Sequence, residues 1–310
     1  MEAKASRAAF GEAIVELAEK YPEMVILDAD LSKSTQTQSF SKKYSNRWFE
    51  FGIAEANMIG AGAGLALCGK KPFVCSFACF LTGRFETIRI SVAYNQANVK
   101  MVGTHCGIGI GEDGYTQMST EDIACMRSLA HVGVVQPADE METKQCVEFL
   151  LNHKGPVYLR LTRQKLKPLH DKNYKFQYGK GDVLRVGRDV ALLATGGVVA
   201  NTLEAANILS KEGIEAEVVN IHTIKPIDEE LIAKLAGRMG KFVTVEDHNV
   251  LGGLGGAVAE VLTKTKPAQL LKIGVQDVYA ESGSPEALYT KYRLDTQGIL
   301  RQIQTFLLKV

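Results

Sequence analysis

Apolar residues along this chain recur at two spacings. In residues 5–20, Ala9, Ile14 and Leu17 fall at helical spacing, and Met24-Val25-Ile26-Leu27 then forms an unbroken apolar run of strand length. The alternation repeats, with strand-like runs at 72–75, 99–103, 132–136 and 157–161 between helical segments near 54–68, 83–97, 118–129 and 139–152. Such alternation predicts a parallel sheet with helices on both faces, whose ligand sites lie beyond the carboxyl ends of the strands. Residues 166–186 lose the apolar periodicity and carry Lys167, Pro168, His170, Asp171, Lys172 and Asn173, as an interdomain linker does. A second unit follows, with strands expected at 190–194, 216–220, 242–246 and 270–274 and helices near 199–211, 228–238, 254–264 and 296–308. The expectation is an α/β protein of two domains, 1–165 and 187–310, each a mainly parallel sheet flanked by helices.

Composition narrows the partners. The 310 residues suffice for two cores, and 36 basic against 35 acidic side chains leave a formal charge of +1. Without a basic stretch, a nucleic-acid or membrane-surface partner has no electrostatic support. No apolar run reaches the roughly 18 residues of a membrane span, and residues 1–7 lack a signal-peptide core, so a cytoplasmic protein is expected. Six cysteines, all in the first half and without CxxC spacing, fit reduced thiols rather than disulfides or zinc ligands. No metal ligand is assigned to this chain.

The most informative stretch is Phe51-Gly52-Ile53-Ala54-Glu55-Ala56-Asn57-Met58, which places a lone carboxylate in apolar surroundings. A buried ionised glutamate is costly unless paired, so Glu55 needs a partner or must titrate upward. The run Gly107-Ile108-Gly109-Ile110-Gly111-Glu112-Asp113-Gly114 follows the strand expected at 99–103, where glycines let backbone approach a ligand closely. It has neither the GxGxxG nor the GxxxxGK[ST] spacing of a nucleotide site, and alone it reads equally well as a flexible loop. His105 opens this loop. Phe77 and Phe80 follow the strand expected at 72–75, and a pair of aromatics can sandwich a flat ring.

Together these residues resemble the transketolases, specifically the pyrimidine-binding and C-terminal domains of these thiamine diphosphate enzymes. The motifs occur in family order: Asp28-Ala29-Asp30-Leu31, the run from Phe51 to Met58, Ser76-Phe77, Thr104-His105, Gly111-Glu112-Asp113-Gly114, Gln136-Pro137-Ala138-Asp139, Leu161-Thr162-Arg163-Gln164 and Thr244-Val245-Glu246-Asp247-His248. The resemblance implies ketol transfer between sugar phosphates, the chemistry of the pentose phosphate pathway, with the cofactor as electron sink. Glu55 takes the position of the glutamate that hydrogen-bonds the aminopyrimidine ring, and burial suits it by favouring a donor-capable carboxyl. Phe77 and Phe80 would line the ring pocket, Asp30 would lie near the thiazolium, and His105 would meet substrate hydroxyls. Arg7, Ser34 and Arg163 match positions for the sugar-phosphate tail, and Asp113 matches one for the acceptor's hydroxyls. Gln117 stands where bacterial and yeast transketolases carry His, as in animal-type members. It is assigned polar contact at the cofactor and cannot act as a general base.

The family's diphosphate-binding domain, with its GDG motif and metal site, is missing from this sequence. The implied partner is an N-terminal subunit that holds the diphosphate through Mg²⁺ or Ca²⁺, in an α2β2 heterotetramer, with this chain inactive alone. Gly60 and Gly64, four apart on the expected helix bearing Glu55, would admit another helix closely at that interface or in internal packing. Gly252-Gly253-Leu254-Gly255-Gly256, before the helix near 254–264, is expected to be a structural turn rather than an anion site. Three alternatives remain open: the β subunit of a 2-oxo acid dehydrogenase E1, a transketolase subunit specialised for another sugar phosphate, and a non-catalytic protein of this fold.

Overall fold

A computed structural model describes residues 2–308. Its first sheet has seven strands in the spatial order Thr223–Lys225, Gly133–Val135, Val157–Arg160, Lys100–Thr104, Lys71–Phe77, Met24–Asp28 and Trp48–Glu50. All pairs are parallel except the first. The central strands are buried along their whole length, which is why they read as continuous apolar runs. The second sheet has the order Gln269–Val275, Lys241–Asn249, Val190–Ala194, Ala216–Asn220 and Asp182–Arg185, with only the last strand antiparallel.

The expected helices at 199–211, 254–264 and 296–308 have those bounds, and those at 54–68 and 139–152 begin one residue later as Glu55–Leu67 and Glu140–Asn152. Asp139 caps Glu140–Asn152 by accepting from the Glu142 amide at 2.9 Å. Several features depart from the sequence reading, among them the unexpected strand Trp48–Glu50. The helix expected at 83–97 is a single turn, Phe85–Thr87, running into a π-helix, Ile88–Tyr94. Asp182–Arg185, within the stretch expected as linker, is an edge strand of the second sheet. Thr223–Lys225 crosses from the second half to the edge of the first sheet. The helix Pro285–Lys291, capped by Ser284, was not expected.

These crossings join the two halves. Phe77, Ile108, Ile110 and Met118 pack in one apolar cluster with Val245, Leu288 and Tyr289 of the second half. Beneath it lies a fully buried ion pair, in which Arg160 donates to both carboxylate oxygens of Asp122, at 2.8 and 3.0 Å, and Tyr158 adds a 2.7 Å hydrogen bond. On the Glu55–Leu67 helix, Gly62 makes the close approach: a Cβ there would meet Val74 at 2.5 Å. Gly60 and Gly64 face open space instead, and among the described residues no helix packs on them.

Candidate active site

Five neighbouring parallel strands deliver the candidate residues to one carboxyl edge. In sheet order, Arg163 follows Val157–Arg160, His105 follows Lys100–Thr104, and Phe77 ends Lys71–Phe77. Asp30 follows Met24–Asp28, and Glu55 follows Trp48–Glu50 after a four-residue connection. Two of these residues are in the left-handed region without being glycine, Asp30 at φ 59° and His105 at φ 60°. Strain of this kind persists where the surrounding fold holds a residue in place, and here it coincides with the strand ends that form the site.

His105 lies at the centre of the contacts. Its ring stacks on Phe77 at a centroid distance of 3.8 Å, its Nε2 is 3.1 Å from an Arg7 guanidinium nitrogen, and its Nδ1 is 2.8 Å from the Thr104 hydroxyl. A guanidinium only donates, so Nε2 must accept and Nδ1 must carry the proton, which it gives to Thr104. Burial, followed by the nearby Arg7 and Arg163 charges, depresses His105 to about 3. The imidazole is therefore neutral at physiological pH, with a fixed tautomer. Arg7 also donates to the Ser34 carbonyl at 2.7 Å, which brings Ser34 into the group.

Arg163 completes this side. It donates to the Ile110 carbonyl and lies 3.4 Å from Glu112 and 3.8 Å from Asp113. Burial and then the Arg163 charge lower Arg7, with Asp113 partly opposing them. Two guanidiniums on one wall with partly exposed neighbours form a place where a phosphate dianion would relieve repulsion.

The aromatic pair differs from expectation. Phe77 and Phe80 are parallel, within 5°, with centroids 5.4 Å apart. A ring held between two others needs roughly twice a stacking distance, about 7 Å. They therefore form a wall, with Phe77 covered by His105 and Phe80 half-buried.

Glu55 opens its helix and is 4 % exposed. The expectation of purely apolar surroundings needs correction, because the Arg84 guanidinium lies 4.0 Å from its carboxylate. Arg84 is half exposed, and among the described residues Glu55 accepts no hydrogen bond, so an acceptor edge is left for a ligand. Asp30 is exposed; its amide donates to Glu50, as does that of Gly52 in the connection to Glu55. Gln117 sits in a 3-10 turn, where its carbonyl accepts from the Cys79 thiol beside Phe80. Among the described contacts none joins Glu55, Asp30 or Gln117 directly to the histidine group. The Gly107 to Gly114 segment is not a free loop: residues 107–111 are buried, and the Asp247 carboxylate binds the Ile108 amide at 2.9 Å. Arg84 carried no sequence signal for its place beside Glu55, and Asp247, although part of a motif, carried none for its contact with Ile108.

A two-domain α/β protein with this carboxyl-edge cluster matches known families along most of its length. The transketolase pyrimidine-binding domain matches residues 2–168, and the transketolase C-terminal domain matches residues 179–299. The chain belongs to the transketolase family and comprises these two domains. It is 45 % identical to a putative transketolase C-terminal section of Methanocaldococcus jannaschii, over 97 % of this chain and 95 % of that protein. A 6-deoxy-6-sulfo-D-fructose transketolase subunit of Clostridium sp. is 42 % identical, over 95 % of this chain and 92 % of its own. A solved structure described as a split gene transketolase, inactive β4 tetramer, superposes with a TM-score of 0.92 at 44 % identity, covering 98 % of both chains. Rat transketolase is 34 % identical over 98 % of this chain, which spans 49 % of its length.

Proposed function

We propose that this chain is the C-terminal subunit of a two-polypeptide transketolase that moves a two-carbon ketol unit from a ketose phosphate to an aldose phosphate. The observation that carries the reading is the convergence of Glu55, Phe77, His105 and Arg163 on neighbouring strand ends, with Arg7 and Asp113 beside them. Thiamine diphosphate, when bound, supplies the electron sink for cleaving and forming the carbon–carbon bond. The residues present fit its pyrimidine half, since a buried carboxyl with no internal hydrogen-bond partner can share a proton with a ring nitrogen and the Phe77/Phe80 wall excludes water from one side. Glu55 then holds the proton shared with that ring nitrogen. Neutral His105, held at Nδ1 by Thr104, meets a substrate hydroxyl at Nε2 as Arg7 exchanges that contact for the phosphate, Asp113 accepts from the acceptor's hydroxyls, and Ser34 and Arg163 join Arg7 at the phosphate. Asp30 and Gln117 supply polar contacts at the cofactor's edge.

The diphosphate and its Mg²⁺ or Ca²⁺ belong to a partner subunit, in an α2β2 assembly that presents the open face of Gly60 and Gly64. The arginine pair argues against a dehydrogenase E1 β subunit, whose lipoyl acceptor carries no phosphate. The sugar is left open: relatives named for 6-deoxy-6-sulfo-D-fructose and apulose 4-phosphate support a specialised substrate as the second reading. The test is ketol transfer from xylulose 5-phosphate to ribose 5-phosphate by the chain alone and mixed with a candidate N-terminal subunit, with thiamine diphosphate and Mg²⁺. Activity is expected only in the mixture, and Glu55→Ala should lower it at least about a hundredfold while folding is retained. Near-full activity of Glu55→Ala would sink the assignment.

A further inference from the structure

The C-terminal domain packs on the 107–114 segment through Ser282, Gly283 and Pro285 and holds its start through a carboxylate. Asp247 ends the apolar core of the strand Lys241–Asn249, fully inside the protein, and binds the backbone of a segment 139 residues earlier. Its Oδ1 accepts from the Ile108 amide at 2.9 Å and its Oδ2 from the Gly109 amide at 3.4 Å, while the Tyr289 hydroxyl donates to Oδ2 at 2.8 Å. Gln164, next to Arg163, donates to that same hydroxyl, and Arg160 donates to the Asp247 carbonyl at 2.9 Å. The fit leaves no room for side chains. A Cβ on Gly107, at φ 72°, would lie 2.2 Å from the Asp247 carboxylate, and one on Gly109 would lie 2.5 Å from the Gln164 amide. The segment so held runs from His105 at one end to Asp113 at the other, and Arg163 grips its middle at the Ile110 carbonyl.

We propose that Asp247 is a positioning residue of the active site: from the C-terminal domain it fixes the 107–109 backbone and thereby sets His105 and Asp113 for the acceptor sugar. The carboxylate receives two amide hydrogens and one hydroxyl, a set that a neutral amide side chain cannot reproduce. Asp247 touches none of the candidate substrate-binding side chains, so its effect passes through the backbone. The functional half of this inference rests on the transketolase reading, whereas the mechanical half does not.

Two variants test it, Asp247→Asn and Tyr289→Phe, the second removing one donor to the carboxylate should the first fail to fold. In the chain itself, amide hydrogen exchange at Ile108 and Gly109 should accelerate about tenfold or more in Asp247→Asn, and less in Tyr289→Phe. Exchange in Val190–Ala194 should stay unchanged. In the mixture with the partner subunit, the acceptor KM should rise severalfold, with kcat and the donor KM changing far less. Unchanged exchange at 108 and 109 overturns the inference, as does acceleration spread evenly over both domains. Local acceleration with an unaltered acceptor KM reduces Asp247 to a structural brace and overturns the positioning role. Absence of transfer in the wild-type mixture refutes the functional reading alone, and the exchange data then decide the mechanical claim.

Discussion

Replacing Arg160 by Met removes the cation of the buried pair and keeps most of the side-chain volume. Both side chains are fully inaccessible, and Arg160 makes four hydrogen bonds: two to Asp122, one to the Ser119 carbonyl and one to the Asp247 carbonyl. Breaking such a pair strands a charge in low dielectric and costs about 3–5 kcal/mol, although the intact pair is worth far less than that over an apolar replacement. Burial pushes the Asp122 carboxyl up and Arg160 pulls it below the usual range. Without Arg160 the burial effect outweighs what remains against it, the Tyr158 hydrogen bond and the nearby His248, so the native carboxyl lies above its unfolded value and the variant regains stability as pH falls. The Tyr158 hydroxyl still donates to Asp122 and keeps the loss near the lower end of that range. Urea unfolding of wild type and Arg160→Met at fixed protein concentration should show a deficit of about 3 kcal/mol at pH 7 that shrinks toward pH 5. The double variant Arg160→Met, Asp122→Leu should recover a large share of it. A deficit below about 1 kcal/mol at pH 7, or a double variant worse than Arg160→Met alone, would refute this account of the domain junction.

Two more outcomes follow from neighbouring contacts. Gly107→Ala puts a Cβ at φ 72° and 2.2 Å from Asp247, and should lose about 2–3 kcal/mol in the same urea assay; a loss under about 0.5 kcal/mol would mean that the segment is free to shift. Burial pulls His170 down, but Asp139 and Asp182 at 3.0 and 3.1 Å override it and raise the imidazole to about 10. The folded value exceeds the ordinary one near 6.5, so this stabilisation is complete below about pH 6.5 and is lost as pH rises toward 10. Wild type should lose about 2–4 kcal/mol more than His170→Ala over that window, and parallel pH profiles would discard the ion pair as a source of stability.

Much of the fold was legible because buried parallel strands announce themselves. Residues 190–194 are a continuous apolar run, and that strand and the one expected at 216–220, with its Val218-Val219 core, have the same bounds in the structure. The helix Glu140–Asn152 carries its own start signal in Asp139 and Glu142. Thr223–Lys225 was not legible, since three residues carry no period and its place depends on the edge left open by Gly133–Val135. The Asp247 contact with Ile108 was not legible either. Each partner sits in a motif that stands out in the sequence, but their meeting is set by how two sheets pack, and no local pattern encodes it.

The two glutamates at helix starts show where sequence reading stops and geometry decides. Glu246 and Glu55 both belong to apolar stretches, both are nearly or fully buried, and both lie beside a helix N-terminus. Glu246 takes the Leu254 and Gly255 amides at 2.6 and 2.8 Å, so the start of Leu254–Lys264 is filled by an internal carboxylate and the glycines around it form a turn, as expected. Burial still raises Glu246 to about 7, against the pull of those amides. Glu55 is itself the first residue of its helix, out of reach of such amides, and the half-exposed Arg84 stands 4.0 Å away. A buried carboxylate whose hydrogen-bonding capacity is met inside the chain holds the fold together. Glu55 has no such partner inside the chain and its carboxylate oxygens still reach solvent, so it is open to a ligand that can share a proton with it. The carboxylate without an internal partner is thus the one suited to a ligand, and its position on the shared edge with Phe77 and His105 is the physical basis for proposing that Glu55 serves the site while Glu246 braces the fold.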